Sequence, residues 1–161
     1  MVRELPSTQV HLLRPLREEL HRHHAALPPV PGFRTRDVET AWQEWRAQVV
    51  EVVTRGDGAV FVEGDAAPTG LAWVRLLPPE DLVRPVLEPT GRHAELCTLV
   101  VADSARGRGT GAALTARARG WARDHGAVAM HIGVRASNVD ARRLYLRGGA
   151  VPAFETLVER L

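Results

Sequence analysis

The sequence predicts a single α/β domain built on a mixed central sheet with helices on its faces, and three observations carry that reading. Residues 59–77, AVFVEGDAAPTGLAWVRLL, hold two arms of alternating apolar residues joined at GDAAP, the pattern of an antiparallel hairpin. Residues 94–101, AELCTLVV, and 127–135, AVAMHIGVR, are further strand runs, the second read as buried, and each leads into a helix-forming stretch. At 161 residues the chain has the size of one domain, 1–161, able to bury roughly 70% of the surface its unfolded form exposes.

The elements follow in chain order. A short extended segment, Val2–Leu5, precedes a helix that Ser7 is placed to cap and that runs toward Leu27 with Val10, Leu13, Leu16 and Leu20 as its apolar stripe. Pro15 interrupts it, either as a kink, which is our reading, or as the true start of the helix. LPPVPG breaks the chain, and Asp37 caps a second helix through Trp42, Trp45, Val49, Val52 and Val53, ended by RGDG. After the hairpin, PPEDLVRPVLEPTGRH is long for a connection in a compact domain and is a candidate binding wall. ADSA then leads from the central strand into ARGRGTGAAL, a glycine-rich turn that opens a helix over Gly109–His125. A helix over Asn138–Arg147 stops at Gly148 and Gly149, and a last strand is expected near Phe154–Val158.

Composition narrows the function classes. With 45% hydrophobic and 25% charged residues, and no apolar run near the ~20 residues of a membrane span, no membrane association is expected. No leader-like segment is evident at the start and the single Cys97 excludes an internal disulfide framework, so the cytoplasm is the expected compartment. Every Lys+Arg position is arginine, which excludes lysine nucleophiles and Schiff bases. A net charge of +2 is too small to argue for nucleic acid, although the sequence pI is about 9.4. Arg117, Arg119 and Arg123 read as the solvated side of a helix, whereas Arg106 and Arg108 sit inside the glycine loop and read as part of an anion site. HRHH at His21–His24 has no i, i+4 pair and no HExxH, so no metal is expected. Cys97 lies mid-strand among apolar neighbours, as a buried small hydrophobe would.

A strand, a glycine-rich turn and a helix N-terminus bring free backbone N–H groups and the positive end of the helix dipole to one point, which suits a phosphate or diphosphate. Side chains at Gly109 and Gly111 would hold a phosphate beyond hydrogen-bond distance, while Arg106 and Arg108 supply charge. Three motifs compete for the loop. GxxxxGK[ST] requires a lysine and fails. Gly107, Gly109 and Ala112 fit the relaxed dinucleotide fingerprint, yet ADSAR separates them from the strand and HIGVR offers no acid about 20 positions on. The third is R-x-x-G-x-G, met by Arg106, Gly109 and Gly111 after ELCTLVV.

This last motif resembles the acyl-CoA loop of the GCN5-related N-acetyltransferase (GNAT) family, and SNVDARRLYLRGG resembles the family's second motif, with Asn138, Ala141, Leu144, Tyr145 and Gly149 in matching positions. The resemblance implies a mainly antiparallel mixed sheet flanked by helices, the acyl-CoA N-acyltransferase fold. It implies acetyl-CoA as co-substrate without a metal, direct transfer to a primary amine of a small molecule or a protein, and a fold in which dimers are common. Arg106, Gly107, Arg108, Gly109, Thr110 and Gly111 would hold the diphosphate, Asn138 and the backbone of Leu99 and Val101 the cofactor arm, and Tyr145 would be the general acid. Glu95 would be the base, with His93 and the helix histidines as alternatives; a non-catalytic acyl-CoA-binding module is the competing reading. The family's usual aromatic after the last glycine is Ala150 here, with Phe154 the nearest substitute.

Overall fold

Among the described residues five strands form one sheet in sequential order: β1 (Arg3–Leu5), β2 (Gly58–Glu63), β3 (Gly70–Leu76), β4 (Arg92–Val101) and β5 (Ala127–His131). The structure is a computed structural model that describes residues 1–64, 67–82 and 86–160. The middle of the expected GDAAP turn, Asp65 and Ala66, and residues 83–85 of the proline-rich loop lie outside the described residues. β1 to β4 pair antiparallel and β4 with β5 parallel, so the mixed, mainly antiparallel sheet is present. The parallel pair needs a crossover, and the helix after the glycine loop supplies it.

Alternation along the strands divides the core in two. Val60, Val62, Leu71 and Trp73 pack with Leu13 ahead of α1 (Arg14–Ala26), Leu16 of α1, and Trp42, Trp45 and Val49 of α2 (Val38–Thr54). Phe61, Ala72, Val74 and Leu96 pack on the other face with Leu114, Ala118 and Trp121 of α3 (Thr110–Asp124). α4 (Val139–Arg147) buries no residue fully and leans a half-buried Tyr145 on this second core. Asp37 caps α2 as expected, its Oδ1 accepting the Thr40 N–H at 2.9 Å.

Three expectations are corrected. Ser7 caps nothing: Ser7–Leu13 is a 3₁₀ segment entered from Pro6 without a side-chain cap, and α1 starts at Arg14 with Pro15 in its first turn, where a missing N–H costs nothing. AVAMH is not a buried strand, because β5 is the sheet edge and Val128 is 63% exposed. Residues 151–160 form no strand, and Phe154 is 57% exposed; alternation in FETLV makes a strand only where a neighbouring backbone accepts the hydrogen bonds.

One glycine is purely a cost to the fold. Gly120 lies inside α3 with nothing within 4 Å of the position a Cβ would take. Gly120→Ala is expected to stabilise the protein by about 0.5–1 kcal/mol, read as a rise in midpoint in urea unfolding at an unchanged m-value.

Candidate active site

The site begins with an irregularity in β4. Trp73 pairs with Thr98 and Val74 with Leu96, so Cys97 is an extra residue, a β-bulge. Past the bulge the alternation resets. Thr98 faces α2 and its hydroxyl accepts the Trp45 Nε1–H at 3.2 Å, Cys97 packs against the same core, and Leu99 and Val101 turn to the α3 side.

The bulge coincides with a split in the sheet. β5 accompanies β4 only from Arg92 to Glu95, so from Leu96 to Val101 the edge of β4 facing that side has no strand partner among the described residues. A cavity of about 970 Å³ opens there, walled by this stretch of β4, the glycine loop, the start of α3, one face of α4, and Glu19, Leu20, His23 and His24 of α1.

At the head of α3 the sequence dictates an open helix end. Gly109 has φ +82°, a conformation that excludes most side chains, and the space before it is empty to 4 Å. The first intrahelical bond runs from the Ala113 N–H to the Gly109 carbonyl (3.0 Å), and no side chain caps the turn. The N–H groups of Thr110, Gly111 and Ala112 therefore lack intrahelical acceptors at the positive end of the dipole, and all three residues line the cavity. This donor set fits the diphosphate of coenzyme A.

The two loop arginines are placed differently from the sequence expectation. Arg106 lines the cavity, but its guanidinium is engaged: Nη1 meets Asp103 at 2.8 Å, Nη2 meets Glu19 at 3.9 Å, and Nε donates to the Val101 carbonyl at 3.2 Å. It pins the loop to β4 and α1 and occupies one of the two backbone positions expected to hold the cofactor arm. Arg108 is exposed and outside the cavity wall. Gly107 and Leu99 line the cavity, as does Asn138, whose Oδ1 accepts the Ala141 N–H at 3.3 Å and so caps α4.

Tyr145 reaches the cavity from α4 together with Ala141 and Leu144, the i, i+3, i+4 face of that helix. Burial pushes its phenol up to about 12, so it holds its proton at neutral pH, and its hydroxyl has no protein partner among the described residues. Glu95 stands apart. It lies on the α1/α2 side before the bulge, outside the cavity wall, with Oε2 2.9 Å from both Nε and Nη2 of Arg75 and 3.5 Å from Cys97 Sγ. His93, two residues earlier, pairs through Nδ1 with Nε2 of His131 at 2.8 Å. Burial, reinforced by Glu95, pushes the Cys97 thiol far above its usual value and keeps it protonated, a poor nucleophile. Among the described residues no three His, Cys, Asp or Glu side chains gather to hold a metal, and no helix is long and apolar enough to cross a membrane.

Residues 17–149 match the profile of the Acetyltransferase (GNAT) family. The chain belongs to this family. No curated protein matches it. Solved structures similar to it include a mutant of the BH1408 protein from Bacillus halodurans (TM-score 0.77, 18% identity, 100% of this chain and 99% of that one). A GCN5-related N-acetyltransferase from Ralstonia eutropha has TM-score 0.73 and 21% identity over 99% and 97%. The aminoglycoside N-acetyltransferase AAC(6′)-Iy, in complex with a bisubstrate analogue of CoA and acetylneamine, has TM-score 0.71 and 18% identity over 100% and 97%. At these identities the likeness speaks for the fold, and the GNAT architecture is the one observed.

Sequence reading missed Arg75, the partner of Glu95. The pair is cross-strand, Arg75 opposite Glu95, and depends on a register that shifts at the bulge. Arg17 and Arg135 were missed for the same reason: each is placed by tertiary contacts, Arg17 over the Trp45 ring and Arg135 against the His24 carbonyl.

Proposed function

We propose that this GNAT-family chain is an acetyl-CoA-dependent N-acetyltransferase that passes an acetyl group to a primary amine by direct transfer, with both substrates bound together. The observation that supports this best is a single cavity into which the free N–H groups heading α3, the unpaired edge of β4 and the Tyr145 phenol all open. Acetyl-CoA supplies an acetyl group activated as a thioester. The N–H groups of Thr110, Gly111 and Ala112 bind its diphosphate, with Gly107 and Gly109 allowing close approach and Arg108 contributing charge from the rim. Arg106 acts by bracing the loop. The backbone of Leu99 and the amide of Asn138 align the arm, and N–H donors along the unpaired edge stabilise charge on the carbonyl oxygen.

Tyr145 holds a proton at the sulfur end of the cleft and gives it to the leaving thiolate. Glu95 takes the proton of the incoming amine through a water, since its carboxylate lies beside the cavity and not in its wall. The protonated Cys97 favours direct transfer over an acyl-cysteine.

The test is release of free thiol from acetyl-CoA across a panel of primary amines, beside thermal stabilisation by CoA. CoA at about 100 times its dissociation constant should add about 2.7 kcal/mol of stability. Stabilisation without thiol release for any amine would make the chain a binding module. Stabilisation by NAD(P) and none by CoA would overturn the reading. Glu95→Gln is expected to lower kcat/KM by ~10-fold or more; an unchanged value, with His93→Ala lowering it instead, moves the base to the His93–His131 pair.

A further inference from the structure

At the α1 end of the cavity two guanidinium groups lack a counter-charge. Arg17 is half-buried over the face of Trp45, 4.6 Å from the ring centroid, and its Nε is buried without a hydrogen-bond partner. Arg135 lines the cavity, donates only to the neutral carbonyls of His24 and Pro28, and also keeps a buried Nε without a partner.

The nearby carboxylates are committed elsewhere: Glu18 and Glu39 to Arg14, Glu19 to Arg106 and the Asp103 N–H, Glu95 to Arg75. Neither Arg17 nor Arg135 forms an ion pair among the described residues. What sets the two apart among the described arginines is the buried Nε that each keeps without a hydrogen-bond partner, a placed charge left uncompensated.

Arg17 is not itself in the cavity wall and adjoins it through what it touches. Leu20 and His24, three and seven positions on along the same face of α1, line it. Trp45, under the guanidinium, donates to Thr98, which lines it too. Stacking occupies the face of a guanidinium and leaves its in-plane N–H donors for an acceptor that can match the fork. Burial, with Arg135 and Arg17 among the neighbours that add to it, holds His24 below the usual histidine pKa.

We infer that the amine acceptor also carries a carboxylate, and that Arg17, with Arg135 and the α1 histidines around it, receives that carboxylate at the α1 end of the cavity. The inference rests on the acetyltransferase reading and narrows it. A polycationic amine is disfavoured by the same charges, and an amino acid or short amino-carboxylate fits them.

Matched acceptors test this. Thiol release from acetyl-CoA is measured with glycine, leucine, methionine, phenylalanine and ω-amino acids of two to six carbons, each beside its carboxamide. At least one acid should exceed its amide in kcat/KM by about 10- to 100-fold, the size of a charge-assisted contact. Arg17→Met should collapse that ratio toward one, Arg17→Lys should recover part of it, and Arg14→Gln should leave it as in the wild type. In parallel, the N-acetylated acids are tested for thermal stabilisation of the wild type and of Arg17→Met without CoA. Stabilisation by the acids and not their amides, lost in Arg17→Met, supports the anion site even if no amine releases thiol, in which case the acetyltransferase reading alone falls. Equal use of acids and amides, a preference that survives Arg17→Met, or thiol release confined to amines without a carboxylate overturns the inference and leaves that reading in place.

Discussion

Tyr145→Phe is expected to lower kcat by ~10²-fold or more while leaving stabilisation by CoA unchanged. The substitution removes one hydroxyl from a ring that packs against the α3-side core, so α4 and its cap at Asn138 stay in place. Of the α4 residues that line the cavity, Ala141 and Leu144 carry no proton to give, Asp140 is a carboxylate and Arg147 a guanidinium that keeps its proton, which leaves the Tyr145 hydroxyl as the donor from this helix. Two orders of magnitude correspond to about 2.7 kcal/mol of barrier, within what one positioned proton donor supplies. Unchanged turnover would take Tyr145 out of the mechanism.

The pH behaviour of the same residue has a definite sign. Burial raises the phenol to about 12 from an unfolded value near 10. The folded state therefore keeps a proton that the unfolded chain gives up first. The stability this contributes is fully present below pH 10 and is lost as pH rises through about 12. Tyr145→Phe should unfold less steeply with alkali than the wild type over that interval, followed by far-UV circular dichroism. Turnover limited by Tyr145 should show no alkaline decline below pH 10.

What the sequence disclosed follows the range of the interactions involved. The hairpin, the Asp37 cap, the glycine loop and the α4 cap at Asn138 are set by residues within a few positions of one another, and each is where local pattern places it. Pro15 was ambiguous because a proline suits both a kink and a first turn, and the choice fell to the packing of Val10 and Leu13 in the 3₁₀ segment, both fully buried. The β5 apolar run looked buried because a one-dimensional pattern does not say which strand ends the sheet. Arg106, expected at the phosphate from its place beside the glycines, meets the neighbouring Asp103 and, from α1 and β4, Glu19 and the Val101 carbonyl, two partners that local sequence does not disclose. The candidate site was thus legible in its backbone parts, and its charges were not, because long arginine side chains choose partners only once the fold has brought them near.

Gly109→Val is expected to weaken CoA binding by ~10- to 100-fold while costing about 1–2 kcal/mol of stability. Substitution here separates two effects that most loop mutations confound. Outside its own chain neighbours nothing lies within 4 Å of the Cβ that would be added, so the first effect of the substitution is on φ +82°. A β-branched residue is a strong outlier in the left-handed region. If the loop keeps its shape, the strain is read as lost stability; if it relaxes to negative φ, the N–H groups of Thr110, Gly111 and Ala112 turn from their common focus and the loss is read in affinity. Gly109→Asn tells these apart, because asparagine tolerates the left-handed region. It should restore most of the stability, and recovery of affinity with it would make backbone geometry the whole of the glycine's role. Recovered stability without recovered affinity would show that the empty space before Gly109 is itself used by the ligand. Valine at this position with wild-type CoA affinity and an unchanged melting temperature would leave the head of α3 with no part in binding the diphosphate.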